Sequence, residues 1–326
     1  MNPREHVPLG RTALTVTRLG LGTAPLAGMF EEVDEGQAIA VIERAWDAGI
    51  RSFDTAPLYG HGLAEMRLGK VLRQKPRDEF TLASKVGRLL RADVPPEPGQ
   101  DFRGVPPVNP MFDFTYDGVM RSLEESLERF GIDRIDILHI HDPDDYYDAA
   151  LRGAYRALDR LRAEGVIRAV GAGMNQAEML TRFAREGDFD CFLLAGRYTL
   201  LDQVALKELL PECVDRGIAI IAGGVYNSGI LADPKPGARY NYRTAPAELL
   251  ERAQRIRDVC ARHDVPLKAA AVQFPLGHPA VACAVVGCRS TAQLDETLEM
   301  FELDIPAALW DELKAERLLP AEAPTP

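Results

Sequence analysis

The chain has 326 residues, of which 46% are hydrophobic and 27% charged, and its formal net charge is −11. That composition supports a sizeable packed core and argues against disorder. The acidic balance argues against a nucleic-acid partner. No apolar run has the length a bilayer demands, and the opening MNPREHVPLG lacks the pattern of a secretory leader. The five cysteines, an odd number with no CxxC and all in the second half of the chain, suggest free thiols in a reducing compartment. The expectation is a cytoplasmic protein that acts on a small molecule, with neither membrane nor nucleic acid as partner.

Short apolar runs alternate with longer amphipathic stretches. Arg18 to Thr23 is predicted as a strand and Glu35 to Ala48 as a helix. Ile50 to Asp54 and Ala64 to Leu72 form the second pair, and Phe80 to Lys85 with Thr115 to Phe130 the third. Ile135 to His141 precedes a helix over Ala149 to Glu164, and Ile167 to Gly171 one over Gln176 to Glu186. Cys191 to Ala195 is followed by Asp202 to Arg216, Ile218 to Ala222 by Ala247 to His263, and Val281 to Val286 by Thr291 to Met300. Eight strand–helix units in a row predict a parallel sheet closed as a (β/α)8 TIM barrel, in a single domain over residues 1–326. VPLGRTALTVTRLG is predicted as an N-terminal hairpin covering the barrel bottom. Pro306 to Arg317 is an extra C-terminal helix, and the AEAPTP tail is expected to fray. The Pro/Gly-rich stretch from Arg88 to Asp113 is too long for a plain connector and is expected to be a functional loop.

A barrel of this kind carries its chemistry at the C-terminal ends of its strands. Those ends hold Asp54, Lys85 and His141, with Asn175 and Arg289 just beyond two others and Tyr59 one turn past Asp54. Each has a plain alternative. An Asp at a strand end is often a turn or cap residue, a Tyr before Gly is usually a packed loop residue, and a Lys can be solvated. One of His139 and His141 is expected to be a core residue, because both face the same side of their strand. Together, four titratable groups at adjacent strand ends suggest acid–base chemistry, in which Lys85 favours ionisation of Tyr59 and Asp54 keeps Lys85 charged.

HIHDP also matches a zinc-ligand pattern, and a metal-dependent barrel hydrolase using His139 and His141 is the competing enzyme class. Lys85 would bring an unwelcome cation to such a site, and no metal is expected. A Gly-rich dinucleotide loop is missing: Gly20-Leu-Gly22 is spoiled by Pro25, and Gly171-Ala-Gly173 by Gln176. A nicotinamide would therefore need another binding geometry.

The segments LGRTALTVTRLGLGT, FDTAPLYGHGLAE, TLASKVGR, SLEESLERFGIDRIDILHIHDP, GAGMNQ and GCRSTAQLDET stand in an order that resembles the aldo-keto reductase family. The resemblance runs from about Pro8 to the last helix. It implies a (β/α)8 barrel that binds NAD or NADP across the strand ends, with catalytic residues Asp54, Tyr59, Lys85 and His141. Tyr59 would be the general acid–base, tuned by Lys85 and Asp54, and His141 would orient the substrate oxygen. The implied cofactor set is Gly22, Thr23, Asp54, Met174, Asn175 and Tyr226, then Asn227, Ser228, Gly229 and Leu231, and then Gly287, Arg289, Gln293 and Glu296. Asn175 would hold the carboxamide, Tyr226 would stack on the nicotinamide, and Arg289 and Gln293 would meet the adenosine end. Met174 stands where the family usually has Ser, Thr297 where it often has Asn, and no Gln appears on the sixth strand. A sensor subunit that binds cofactor without turnover is a further implied class, and the presence of all four catalytic positions counts against it. LLAGRYTLLDQ and GGVYNSGIL resemble the aldose dehydrogenase branch. That branch implies oxidation of a sugar hemiacetal to its lactone, with an aldehyde, ketone or pyridoxal-type substrate as the alternative. The long third loop, Asp142 to Ala150 and LADPKPGARYNYRT are expected to line the substrate pocket, with Tyr146, Tyr147, Tyr240 and Tyr242.

Overall fold

The computed structural model describes residues 1–96 and 102–326. Eight parallel strands close a barrel in which each strand neighbours the one before it in sequence. They are β1 (Leu19–Gly22), β2 (Ser52–Asp54), β3 (Thr81–Val86), β4 (Ile137–His141), β5 (Ala169–Met174), β6 (Cys191–Ala195), β7 (Ala219–Gly223) and β8 (Val281–Gly287). β8 pairs with β1 and seals the ring. Nearly every strand residue is buried, because helices cover one face and the opposite wall of the barrel the other.

Side-chain caps satisfy the first N–H groups of some of the helices. Asp34 accepts hydrogen bonds from the N–H groups of Gly36 and Gln37 at the head of Glu35–Asp47. Thr115 does the same from Gly118 for Tyr116–Phe130, which Gly131 stops in the left-handed region at φ 65°. Residues predicted at successive strand positions alternate between a helix-facing cluster and the barrel interior.

The N-terminal hairpin pairs His6–Pro8 with Thr15–Thr17. It sets Leu9, Leu14 and Val16 into a cluster with Ala83, Ile137, Ala169, Cys191, Ala219 and Ile221. The barrel bottom is thereby plugged with apolar side chains, as expected.

Several elements differ from the sequence reading. β5 runs on to Met174, paired through Gly173 with His141 and with Leu193; two glycines hid its strand character. The helix expected from Asp202 starts only at Leu209, after a short turn at Val204–Leu206. The ring of Pro211 would meet the carbonyl four residues earlier, so the helix cannot reach further back. A π turn at Ala150–Ala154 interrupts the helix that ends at Ala163. A helix at Leu267–Gln273 was not anticipated. The stretch after β3 is not a plain loop: Arg88–Arg91 and Asn109–Phe112 pair as antiparallel strands, and residues 97–101 lie outside the described residues. The C-terminal tail does not fray. Ala323 is buried, and Thr325 and Pro326 lie so close to Gly277 that a Cβ there would sit 2.6 Å from Thr325.

Candidate active site

The register sets the polar strand-end residues in steps of two from one strand to the next. Asp54 is level with Gly22 and Ala83, Lys85 with His139, and His141 with Gly173. Two glycines make room for them. A Cβ on Gly171 would lie 2.2 Å from His139 Nδ1, and one on Gly173 would be 3.4 Å from Lys85 Cε. The GAG of β5 therefore admits two large polar side chains into an otherwise filled barrel.

Lys85 is 1% exposed. Its Nζ donates to Asp54 Oδ1 at 2.8 Å and to the Thr55 carbonyl at 2.8 Å. The same ammonium lies 4.7 Å from the centre of the Tyr59 ring. The Tyr59 ring meets His141 edge-on, with centroids 5.8 Å apart and planes at 86°. A run of tight turns delivers Tyr59 to this place. Its N–H bonds the Ala56 carbonyl at 3.1 Å, and Gly62 N–H bonds Pro57 at 2.7 Å. Gly60, His61 and Gly62 all have positive φ, and a Cβ on Gly60 would sit 2.5 Å from the Ala27 carbonyl. The YGHG sequence is thus the requirement of a left-handed backbone run. His61 bonds the Val108 carbonyl at 2.6 Å and ties the stretch after β3 to this turn.

These groups open into a cleft of about 790 Å³, within the range of small-ligand sites. It runs from Tyr59, Lys85 and His141 past Asn175 and Gly224 to Arg289 and Thr297 at the far end. Its floor includes Gly22 and Gly287, where a Cβ on the latter would lie 2.5 Å from Pro25. Close backbone and few side chains leave space for an extended flat ligand.

A profile of the aldo/keto reductase family matches residues 18–316. The chain belongs to the aldo/keto reductase family. It is 47% identical to a D-threo-aldose 1-dehydrogenase of a Pseudomonas species, over 94% of this chain and 96% of that one. It is 44% identical to a pyridoxal 4-dehydrogenase of Microbacterium luteolum, over 97% and 98%. Among solved structures, an aldo-keto reductase of Bacillus halodurans in its holo form superposes with a TM-score of 0.78 at 25% identity, over 98% of both chains. The protein is therefore an oxidoreductase, and aldo/keto reductases use nicotinamide dinucleotides.

In this aldo/keto reductase, the cleft is lined by Gly22, Thr23, Asp54, Met174, Asn175 and Tyr226, and by Asn227, Ser228, Gly229, Gly287, Arg289, Gln293 and Glu296. Leu231 is not among them; it is fully buried in the core outside the barrel. Met174 belongs to that same helix-facing cluster, since the interior positions of β5 are the glycines. The Asn227 side chain is spent on Thr199 and the Gly196 carbonyl, and Ser228 Oγ accepts the Tyr242 N–H at 3.1 Å. Tyr226 lies near Thr297 and Glu296 at the far end of the cleft, while Gly223 closes β7 and Gly224 follows it. Arg289 donates to the Met29 carbonyl at 3.1 Å, and its own N–H bonds Gln293 Oε1 at 2.8 Å.

The electrostatics depart from the sequence reading at one point. Burial, which exceeds the opposing pull of Lys85, pushes the Tyr59 phenol up to about 12, where a value below a free phenol was expected. Burial also raises the Asp54 carboxyl, against Lys85. The Lys85 ammonium is lowered by burial, but Asp54 and Tyr59 together outweigh that and leave it above its usual value. Burial and Lys85 pull His139 down to about 3. Burial first, then Arg88 and Lys85, holds His141 well below the ordinary imidazole value. Both imidazoles are thus neutral near pH 7. His139 is fully buried with neither ring nitrogen paired among the described residues, and only His141 lines the cleft. All five cysteines are buried and free. Burial raises each thiol, Cys283 to about 12 and cleft-lining Cys288 to about 11, so none has thiolate character. Among the described residues no three His, Cys, Asp or Glu side chains gather as a metal site.

Of the four pocket tyrosines expected, only Tyr242 reaches the cleft. Tyr146 packs on Phe112, Tyr147 on Phe183, and Tyr240 donates to Asp202 at 2.9 Å. Tyr242 sits in a two-residue hairpin turn with Asn241, both at positive φ, the type I′ geometry. Its ring lies 6.2 Å from Phe30, over which Arg239 stacks at 4.4 Å. Phe102 approaches Tyr59 at 6.3 Å from the other side. Phe102, Asp142 and Arg239 reach the cleft from the three segments expected to line it, whereas Phe30 was missed in the sequence.

Proposed function

We propose that the enzyme oxidises the anomeric carbon of a cyclic sugar hemiacetal to a lactone with NAD or NADP. The observation that carries this reading is the Lys85–Asp54 pair held against the Tyr59 ring beside a neutral His141, at one end of a long cleft. The 47% identical aldose dehydrogenase supports the substrate class. Tyr59 hydrogen-bonds the reacting oxygen and takes its proton as the phenolate in oxidation; in reduction the phenol returns it. Lys85 opposes the effect of burial and favours that phenolate. His141, being neutral, donates one hydrogen bond to the same oxygen and fixes its direction without adding charge. When bound, the nicotinamide supplies the hydride exchange. Gly22, Thr23, Asp54 and Asn175 would hold its ring end, and Arg289, Gln293 and Glu296 the adenosine end. Asp54 Oδ2, buried and unpartnered among the described residues, fits a donor brought by such a ligand. A pyridoxal-type alcohol is the second reading, favoured by the 44% identical relative.

Two measurements test this. Titration of the metal-free protein with NADH and NADPH, read by nicotinamide fluorescence, should show saturable binding of at least one. Binding of neither would end the reading. The second separates the histidines, one strand repeat of about 6.6 Å apart. His141→Ala should lower kcat by about 10²-fold or more, whereas His139→Ala should chiefly lower the unfolding midpoint. The reverse pattern would place the reacting oxygen a layer deeper.

A further inference from the structure

Asp142 follows His141 at the end of β4 and takes no part in the steps above. Its φ is 41°, in the left-handed region that Asp tolerates better than most residues. Its N–H still bonds the Gly173 carbonyl at 3.1 Å, so the chain turns while remaining anchored to β5. The turn leaves Oδ2 3.5 Å from His141 Nε2 and 3.3 Å from the Arg88 guanidinium. Arg88 is itself buried and stacked 4.5 Å from the centre of the Phe112 ring. The Asp142 side chain stays 34% exposed and lines the cleft beside Tyr59 and His141. A carboxylate is therefore held, by strained backbone and a fixed cation, beside His141 Nε2 at the wall of the cleft.

We propose that Asp142 is the specificity-determining residue that reads a hydroxyl on the carbon next to the reacting one. This rests on the oxidoreductase reading of the cleft and deepens it. An oxygen shared by Tyr59 and His141 brings the adjacent carbon alongside the group neighbouring His141 Nε2. A carboxylate only accepts hydrogen bonds, so it rewards a hydroxyl there. A methyl or methylene in the same place takes water from the part-exposed carboxylate and returns no hydrogen bond, a loss that sites built to bind a hydroxyl penalise. The backbone strain at a polar residue in the mouth is the kind that persists where function requires it. The substrate class that follows is 2-hydroxy aldehydes and their hemiacetals, in preference to plain aldehydes.

The test uses glyceraldehyde and propanal, equal in carbon number, reduced with NADH and NADPH by wild type, Asp142→Asn and Asp142→Ala. Wild type should favour glyceraldehyde in kcat/KM. In Asp142→Ala that ratio should fall by about 10–100-fold, the usual worth of a hydrogen bond to a charged group, with the loss on the glyceraldehyde side. Asp142→Asn, which keeps the shape and one acceptor, should lie between. An unchanged ratio overturns the proposal, and so does an equal loss on both aldehydes, which would mean that Asp142 acts only through His141. Absence of turnover of any aldehyde or sugar by wild type, with either cofactor and in either direction, would instead remove the oxidoreductase reading beneath it.

Discussion

Tyr59→Phe should lower kcat by about 10²–10⁴-fold in both directions, the usual contribution of a positioned acid–base group. The ring and its edge-on contact with His141 remain, so affinity for NADH or NADPH should change little. The pH dependence carries a sign. Oxidation requires the phenolate, and burial holds the phenol at about 12 in the protein alone. The oxidation rate should therefore rise with pH across the alkaline range, and reduction should be favoured on the acid side. Replacing Lys85 by Met removes the positive charge that favours the phenolate, so the rising limb should move to still higher pH. Near-wild-type kcat in Tyr59→Phe would make the tyrosine a packed loop residue and remove the mechanism with it.

Lys85→Met should also cost about 3–5 kcal/mol of stability, because it strands the buried Asp54 carboxylate. The loss should depend on pH. Without the ammonium, burial alone acts on Asp54 and raises its carboxyl further. A carboxyl raised in the folded state binds its proton more tightly there than in the unfolded chain. Its contribution to stability is present below the unfolded value and is lost as pH climbs through the folded one. The deficit of Lys85→Met relative to wild type should thus be smallest in mild acid and grow towards neutrality, as read by urea unfolding at about pH 5 and about pH 8. Asp54→Asn in the same chain should recover part of it at the higher pH. A deficit that is flat with pH would mean that Asp54 is not the stranded charge.

The fold was legible because eight apolar runs with amphipathic partners leave few arrangements, and parallel pairing buries such runs on both faces. The catalytic layer was legible for the same reason: a charged residue closing a buried strand has few innocent explanations. What escaped was non-local. Nothing near Tyr59 in sequence shows that its desolvation outweighs the lysine, since Phe102 and His141, remote in the chain, pack against its ring. The roof of the cleft joins Phe30 to Arg239 and Tyr242, some two hundred positions away, and local period carries no trace of such a pairing. Leu231 was assigned by its place in GGVYNSGIL, but the left-handed kink at Ser228 sends the chain behind the barrel wall.

The plug at the barrel bottom bears on how the chain assembles during synthesis. Leu9, Leu14 and Val16 leave the ribosome early, yet their seats include Ala219, Ile221, Ala282 and Cys283. β1 likewise awaits Ala284–Gly287 to complete its pairing. Until those late residues emerge, the hairpin is an amphipathic segment with its apolar side uncovered. Contacts of such long sequence separation form slowly, and exposed apolar surface of this kind invites aggregation. The hairpin is thus buried only after β7 and β8 have been made, and closure of the ring and docking of the plug both await those strands.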